Sequence, residues 1–330
     1  MERMQSYMKS ALDGLAGMIE CTLYQTEESE FGRKLESFLA AMGRLAPGKI
    51  HVVKASDLSG LPASPCFRIG NGMRAGIVYA ALPEAHQLPP FLKALEWVAC
   101  IGQLGCDPEP DVVSPPAELQ VMISTDCPHC PKAVEAAAFL ASRHPSIACH
   151  IIDAAQFPDI CQRYGIKSVP ATIVDRRLVL AGNTTADRLM ELIQIRGTRE
   201  YEMEVVLSLI EVRRISAAAE CLAHETGRQV ILALVQDADF SKRLSALVVI
   251  EKALEDNPGL VRSMAPAFAA LLSNRDARIR GDVADLLGKI GDAQTIGKLE
   301  PLTSDPDADV AEIAAEAIAA LRKNCDGRPV

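Results

Sequence analysis

The sequence predicts two α/β units in tandem followed by an all-α repeat array, and three observations carry the prediction. Cys127-Pro128-His129-Cys130 stands between an apolar run, Leu119 to Ile123, and a helical pattern from Lys132 to Ser142. Upstream, the same succession of elements runs once before without the paired cysteines. In the last third of the chain a turn-plus-helix pattern returns at about thirty-one residues, the mark of a stacked helical array.

Strand, tight turn and helix start is a position suited to a reactive dithiol. A cysteine at a helix N-terminus meets unpaired backbone N–H groups and the positive end of the helix dipole, which favours its thiolate below the free pKa of about 8.5. Cys127 is therefore the expected nucleophile. Cys130, inside the first turn, is expected to attack a mixed disulfide on Cys127 and release the partner. His129 adds positive charge near the thiolate, and Pro128 shapes the turn. Zinc and iron–sulfur sites also use this spacing, but a four-coordinate metal needs a second ligand pair. The other cysteines, Cys21, Cys66, Cys100, Cys106, Cys149, Cys161, Cys221 and Cys325, are scattered. The expectation is a redox-active disulfide between Cys127 and Cys130 with no bound metal or cofactor.

Further on, Ile166 to Val174 is a strand-forming run with Pro170 at its head. Ile147 to Ile152 reads as another strand, Gln156 to Tyr164 as a helix closed by Gly165, Arg177 to Gly182 as a strand and Thr185 to Ile195 as a closing helix. On Cys127, Cys130, Pro131 and Pro170 this segment resembles the thioredoxin superfamily, in a small thioredoxin- or glutaredoxin-like form. In that family a cis proline after a small apolar residue faces the dithiol and presents backbone to the bound substrate chain; the resemblance assigns that place to Val169 and Pro170. The alternative is an ordinary trans proline opening a strand, since only about one X-Pro bond in twenty is cis. Cys-Pro-x-Cys-Pro looks glutaredoxin-like, whereas the Pro-His pair is similar to strongly oxidising members.

In the upstream copy, Thr22 to Glu27 echoes Val121 to Asp126, and Lys49 to Ala55 echoes Cys149 to Ala154. At the same offset Ser29 to Met42 is a helix, Ser64 to Ile69 a proline-headed strand, Gly76 to Ala80 a strand and Pro90 to Ile101 a helix. Glu28 to Phe31 stand where the cysteines would be, so this copy is expected to lack redox exchange unless Cys66 takes part. His51 and His150 fall at matching strand positions and are read as structural. Such a tandem resembles the N-terminal module of alkyl hydroperoxide reductase flavoproteins and the archaeal-type protein disulfide oxidoreductases, over about Met1 to Gly197. No Gly-x-Gly-x-x-Gly follows a strand. The resemblance then implies electrons from a separate NAD(P)H-dependent, thioredoxin-reductase-like flavoprotein, passed to a disulfide-containing protein substrate.

In the tail, Asn274 to Asp292 is echoed from Asp305 to Leu321, and a looser copy starts at Gln236-Asp237-Ala238-Asp239. The pattern resembles short HEAT-like repeats, in which an aspartate-rich turn caps a helix and each repeat buries its apolar stripe on the next. Contact with a protein partner is the expected use, with a helical layer that merely covers the redox unit as the alternative; Phe240 and Phe268 are expected in the core. The predicted organisation is a thioredoxin-like domain without CxxC over 1–106, a proline-rich stiff linker over 107–117, a redox-active domain over 118–197 and a HEAT-like domain over 198–330. Together these are tandem α/β thioredoxin-like domains followed by an all-α HEAT-like solenoid.

The net charge of −9, with no lysine or arginine cluster, argues against nucleic acid or an anionic membrane as partner. No apolar stretch reaches the roughly twenty residues of a membrane helix. Met1 to Glu20 reads as an amphipathic helix without the apolar core of a secretory signal, so a cytoplasmic location with mostly reduced cysteines is expected. Two other readings stay open: a non-catalytic scaffold acting through the helical tail, and iron–sulfur binding through Cys127 with an external thiol.

Overall fold

The computed structural model describes residues 2–25, 27–70, 76–101 and 113–326. They form two compact units, Met1–Arg196 and Gly197–Val330. The first is mixed α/β and the second mostly helical.

In the first unit, α1 (Glu2–Asp13) precedes β1 (Ile19–Tyr24), α2 (Glu30–Leu45), β2 (Ile50–Ala55), β3 (Cys66–Gly70), β4 (Ile77–Ala80) and α3 (Leu88–Cys100). The same succession then returns as β5 (Ala117–Ile123), α4 (Cys130–Arg143), β6 (Ile147–Asp153), β7 (Ala171–Val174), β8 (Leu178–Ala181) and a closing helix, with one extra short helix after β6. Numbered in chain order, that short helix is α5 (Pro158–Tyr164) and the closing one α6 (Ala186–Gln194). In each half a strand–helix–strand crossover makes a parallel pair, β1 with β2 and β5 with β6. An antiparallel hairpin extends it, β3–β4 or β7–β8. The sheet order is β2-β1-β3-β4-β6-β5-β7-β8. The halves therefore share one eight-stranded sheet, joined where Ile77 to Ala80 of β4 run parallel to Cys149 to Ile152 of β6.

The segment expected as a stiff linker between two domains falls within one compact unit. Its Asp107 to Asp111 lie outside the described residues, and its end is pinned where the Arg196 guanidinium donates to the Pro115 and Pro116 carbonyls. Two helix limits also differ from expectation. The first helix stops at Asp13 because glycines at 14 and 17 lower helix propensity and the Ile19 N–H is taken by the Lys49 carbonyl at 2.8 Å, which starts β1 instead. Helix α5 begins at Pro158, not Gln156, because the N–H groups of Gln156 and Phe157 both turn back to the Asp153 carbonyl, at 3.1 and 3.0 Å. Proline then supplies a preset first helical residue. Gly165 closes the helix at φ 69°, a left-handed conformation that favours glycine.

The central strands are buried almost throughout, β4 and β7 at every position and β5 and β6 at all but one. Phe38, Phe67, Tyr79 and Phe91 form a ring cluster in the first half, with Phe67 stacked on Tyr79 at 5.5 Å. In the second half small residues, Ala133, Ala137 and Ala138, bury the inner face of α4. The halves also meet through their helices: the Trp97 and Phe139 rings lie edge to face at 5.5 Å and Lys93 pairs with Glu135 at 2.9 Å.

The second unit runs through α7 (Arg199–Glu211), α8 (Ile215–Glu220), α9 (Glu225–Val235), α10 (Phe240–Asp256), α11 (Pro258–Ser263), α12 (Ala265–Ala269), α13 (Ala277–Ile290), α14 (Ala293–Leu299) and α15 (Ala308–Asp326). One turn recurs before α10, α13 and α15. Asp237, Asn274 and Asp305 each accept the N–H two residues on at 2.9 Å. Asp239, Asp276 and Asp307 then accept the N–H of Ser241, Arg278 and Asp309. These are the side-chain caps that helix N-termini lack internally. Arg243 and Arg280 reach back to carbonyls of their own turn and forward to the next repeat, to Asp282 at 2.9 Å and Asp305 at 2.7 Å. At Gly288 an added Cβ would lie 2.9 Å from Ala317, so α13 and α15 approach at a distance only glycine permits.

Phe268 is fully buried, but Phe240 is 60 % exposed. Capping by Asp239 puts Phe240 in the first turn of α10, on a face shared with exposed Leu244 and Val248 one and two turns later; its ring contacts the Arg243 guanidinium at 5.6 Å.

Candidate active site

The parallel strands β1, β2, β4, β5 and β6 end on the same edge of the sheet, and α2 and α4 begin there. Beyond β5, the Cys127 N–H closes a turn onto the Ser124 carbonyl at 3.1 Å, and α4 starts at Cys130 with Pro131 in its first turn. His129 occupies the N-cap position, but its side chain makes no cap hydrogen bond. The cap role falls to sulfur: the Cys130 N–H donates to Cys127 Sγ at 3.2 Å. On its other side the Cys127 thiol faces the carbonyl of Val169 at 3.9 Å. The Val169–Pro170 bond is cis.

The two thiols differ in access. Cys127 is half-buried and Cys130 fully buried. Burial above all, then the hydrogen bond and charge of Cys127 and the charge of Asp153, push the Cys130 thiol up to about 12, against a lowering hydrogen bond with the Ser124 backbone. Asp153 is itself buried and accepts from the Thr125 hydroxyl at 3.2 Å and the Ala155 N–H at 2.8 Å. Pro128 and His129 are exposed on the solvent side of the turn.

The first half keeps the frame of this site without its sulfurs. Ser64–Pro65 is also cis. Ser29 caps α2, accepting the Gly32 N–H at 2.9 Å, and the Phe31 ring meets Phe157 of the second half at 6.0 Å. Cys66 is fully buried, and burial raises its thiol to about 12 against the nearby Arg68. It is a free thiol in the core. Cys21 and Cys149 are buried likewise, with thiols raised by burial. Among the described residues no group of three or more His, Cys, Asp or Glu side chains gathers at metal-binding range. Elsewhere, Cys100 is disulfide-bonded.

His150 sits in mid-strand between Val78 and Gln120, away from the strand ends. Burial, with Arg176 and Arg68, lowers its pKa to about 4 against the raising charge of Glu118. His51 is exposed in β2.

One contributor was not legible in the sequence. Gln87, at the end of a short 3-10 turn (Ala85–Gln87) in the first half, donates from Nε2 to the carbonyls of Ser124 at 3.1 Å and Cys127 at 3.3 Å. It lies some forty residues away in the half without the motif, so no local pattern marks it.

Residues 117–194 match the thioredoxin domain family. The chain is similar to the NTD_N/C domain of alkylhydroperoxide reductase from Enterococcus faecalis V583, with 22 % identity and a TM-score of 0.52 over 58 % of this chain and 99 % of that one. It is similar also to a protein disulfide oxidoreductase from Aeropyrum pernix K1, with 16 % identity and a TM-score of 0.51 over 59 % of this chain and 92 % of that one. A curated relative, an NADH dehydrogenase from Ferdinandcohnia aciditolerans, is 24 % identical over 193 residues, which are 57 % of this chain and 36 % of that protein. The chain thus spans about a third of that relative's length. What these likenesses establish is a thioredoxin fold in the first unit, with the family match lying on the half that carries Cys127 and Cys130.

Proposed function

We propose that this chain is a thiol–disulfide oxidoreductase acting on protein disulfides through Cys127 and Cys130. The observation that carries the reading is the Cys130 N–H aimed at an accessible Cys127 Sγ beside the Val169 carbonyl. A backbone donor at a helix N-terminus stabilises a thiolate. Cys127 attacks one sulfur of a substrate disulfide, forming a mixed disulfide and expelling the other sulfur as a thiolate that takes up a proton. Cys130 then gives up its proton and attacks Cys127 Sγ, closing the Cys127–Cys130 disulfide and releasing the second substrate sulfur, so two electrons pass to the substrate. Cys130 stays protonated until that step, because its burial opposes ionisation. The backbone around Val169 and Pro170 aligns the substrate chain, and Pro128 and His129 tune the dithiol from the solvent side.

The likeness to an alkylhydroperoxide reductase domain, and the relative named as an NADH dehydrogenase, support a separate NAD(P)H-dependent flavoprotein as the source of electrons. We place the protein in the cytoplasm, where this direction of flow is the expected one; no helix among the described residues is long and apolar enough to cross a membrane. The second unit is a HEAT-like array that contacts a protein partner. Its repeated capped turns and the exposed Phe240, Leu244 and Val248 support that use. The same apolar stripe favours the second reading, a scaffold in which the dithiol is dispensable.

An equilibrium redox titration with thiol trapping decides between them. A reversible Cys127–Cys130 disulfide near about −270 mV is the expected result, and one at about −120 to −180 mV would make the protein an oxidase or isomerase. Failure to form that disulfide would leave the scaffold as the function.

A further inference from the structure

The half without the paired-cysteine motif contributes to the dithiol turn, and the contribution follows from counting backbone partners. A helical carbonyl ordinarily accepts the N–H four residues ahead. For Cys127 that residue is Pro131, which has no N–H. The Ser124 carbonyl takes the Cys127 N–H and has a lone pair to spare. Backbone carbonyls in a packed turn need partners, and here both find the same one, the Gln87 amide, at 3.3 and 3.1 Å. Gln87 is 2 % exposed, so it is held by the surrounding core. Its Oε1 is buried and has no hydrogen-bond partner. Burying an amide with an orphaned oxygen costs free energy, about 1–3 kcal/mol in general, and a hydrophobic side chain of similar size would avoid that cost. The amide is retained where its donor end meets the one loop that carries the nucleophile.

Resting on the oxidoreductase reading above, we infer that Gln87 is a positioning residue for the dithiol: by fixing the Ser124 and Cys127 carbonyls it keeps the Cys130 N–H aimed at Cys127 Sγ in the reduced protein. The catalytic half then depends on the other half for the geometry of its nucleophile. Loss of the clamp loosens the N–H to sulfur contact. The thiolate loses stabilisation, the reduced form becomes less favoured, and the pair becomes more reducing.

The test uses the full chain with Gln87→Met, which keeps bulk without a donor, and Gln87→Leu, which removes both ends of the amide. Two readouts are taken: the thiol–disulfide equilibrium constant of Cys127/Cys130, and the pH profile of Cys127 alkylation. We expect the equilibrium to move roughly three- to tenfold toward the disulfide in Gln87→Met, as for loss of one or two hydrogen bonds. Tenfold corresponds to about 30 mV for a two-electron couple. The alkylation profile should move to higher pH, and Gln87→Leu should move both readouts in the same direction. If both readouts stay within twofold of wild type in both variants while melting temperatures fall, Gln87 is core packing only and the inference is wrong. If the wild-type protein itself forms no reversible disulfide, the oxidoreductase reading fails first and takes the inference with it, a result readable before any variant is made.

Discussion

At the scale of single residues, the same side-chain type takes opposite roles according to its depth in the sheet. Cys127 is reachable in the turn between β5 and α4, whereas Cys21, Cys66 and Cys149 are strand residues buried as small apolar groups. The sequence distinguished the first from the others because the chain around it changes period, from strand to helix, within a few residues. Gln87 could not be read this way, since its meaning lies in two carbonyls of another half. His150 gives a prediction at this scale. Its pKa is lowered from 6.5 to about 4 in the folded protein, so the unfolded chain binds the proton first as pH falls. The stability it contributes is present above pH 6.5 and is lost as pH falls through about 4, a change on the order of 3 kcal/mol. Unfolding in urea, followed by the single tryptophan, Trp97, should therefore weaken between pH 7 and 4 by clearly more in wild type than in His150→Gln. Equal losses in the two proteins would show that the imidazole is not what titrates.

Elements were predicted where a local signal marks both ends. The helix beginning at Cys130 and the cap at Gly165 are of this kind. Limits went astray where long-range pairing or a backbone hydrogen bond decided them, as after Asp13, where Ile19 pairs to Lys49, and at Gln156, which turns back to Asp153. In the second unit the aspartate-rich turns were visible in the sequence as a period, but the partners of the arginines were not. Arg243 is almost fully buried, and its guanidinium joins its own turn to Asp282 of α13. Removing one member of such a pair leaves the other without its partner. Arg243→Met should lower the stability of the helical unit by about 3 kcal/mol, seen as an earlier loss of helical circular dichroism on heating. The cost in an Asp282→Asn background should be smaller, because the pair is already broken; equal costs in the two backgrounds would mean that Arg243 acts through its own turn and packing, and that the pair with Asp282 contributes nothing. Phe240 was misplaced for a related reason: apolar character does not say which side of a helix faces inward when the cap sits one residue before it.

For the molecule as a whole, the internal echo in the sequence indicated two copies, and the boundary drawn between them was a linker. What a sequence cannot state is whether neighbouring copies pack or pair. Here β4 pairs with β6, α3 packs on α4, and Gln87 crosses between halves. The second half alone, residues 113–196, would lose all three contacts at once. We expect it to be poorly ordered, with narrow amide dispersion in proton NMR, while residues 2–196 give a well-dispersed spectrum. A well-dispersed spectrum from the shorter piece would establish that the halves are independent domains.

The joined sheet has a further consequence. The copies are related by translation along the sheet, not by a two-fold axis, so the first half offers its last strand, β4, to β6, the outer strand of the second half's parallel pair. β8 is to the second half what β4 is to the first, and β2 is the counterpart of β6. The two terminal strands are therefore unlike, and each is of the kind that the other accepts inside the chain. A two-fold arrangement closes on itself, but a head-to-tail one carries an open valence at both ends. Short terminal strands and charge along them, such as exposed Lys54 on β2 held by Glu36 at 2.7 Å, oppose edge-to-edge growth. The fusion that supports one reactive cysteine leaves the protein with polymer-like ends to guard.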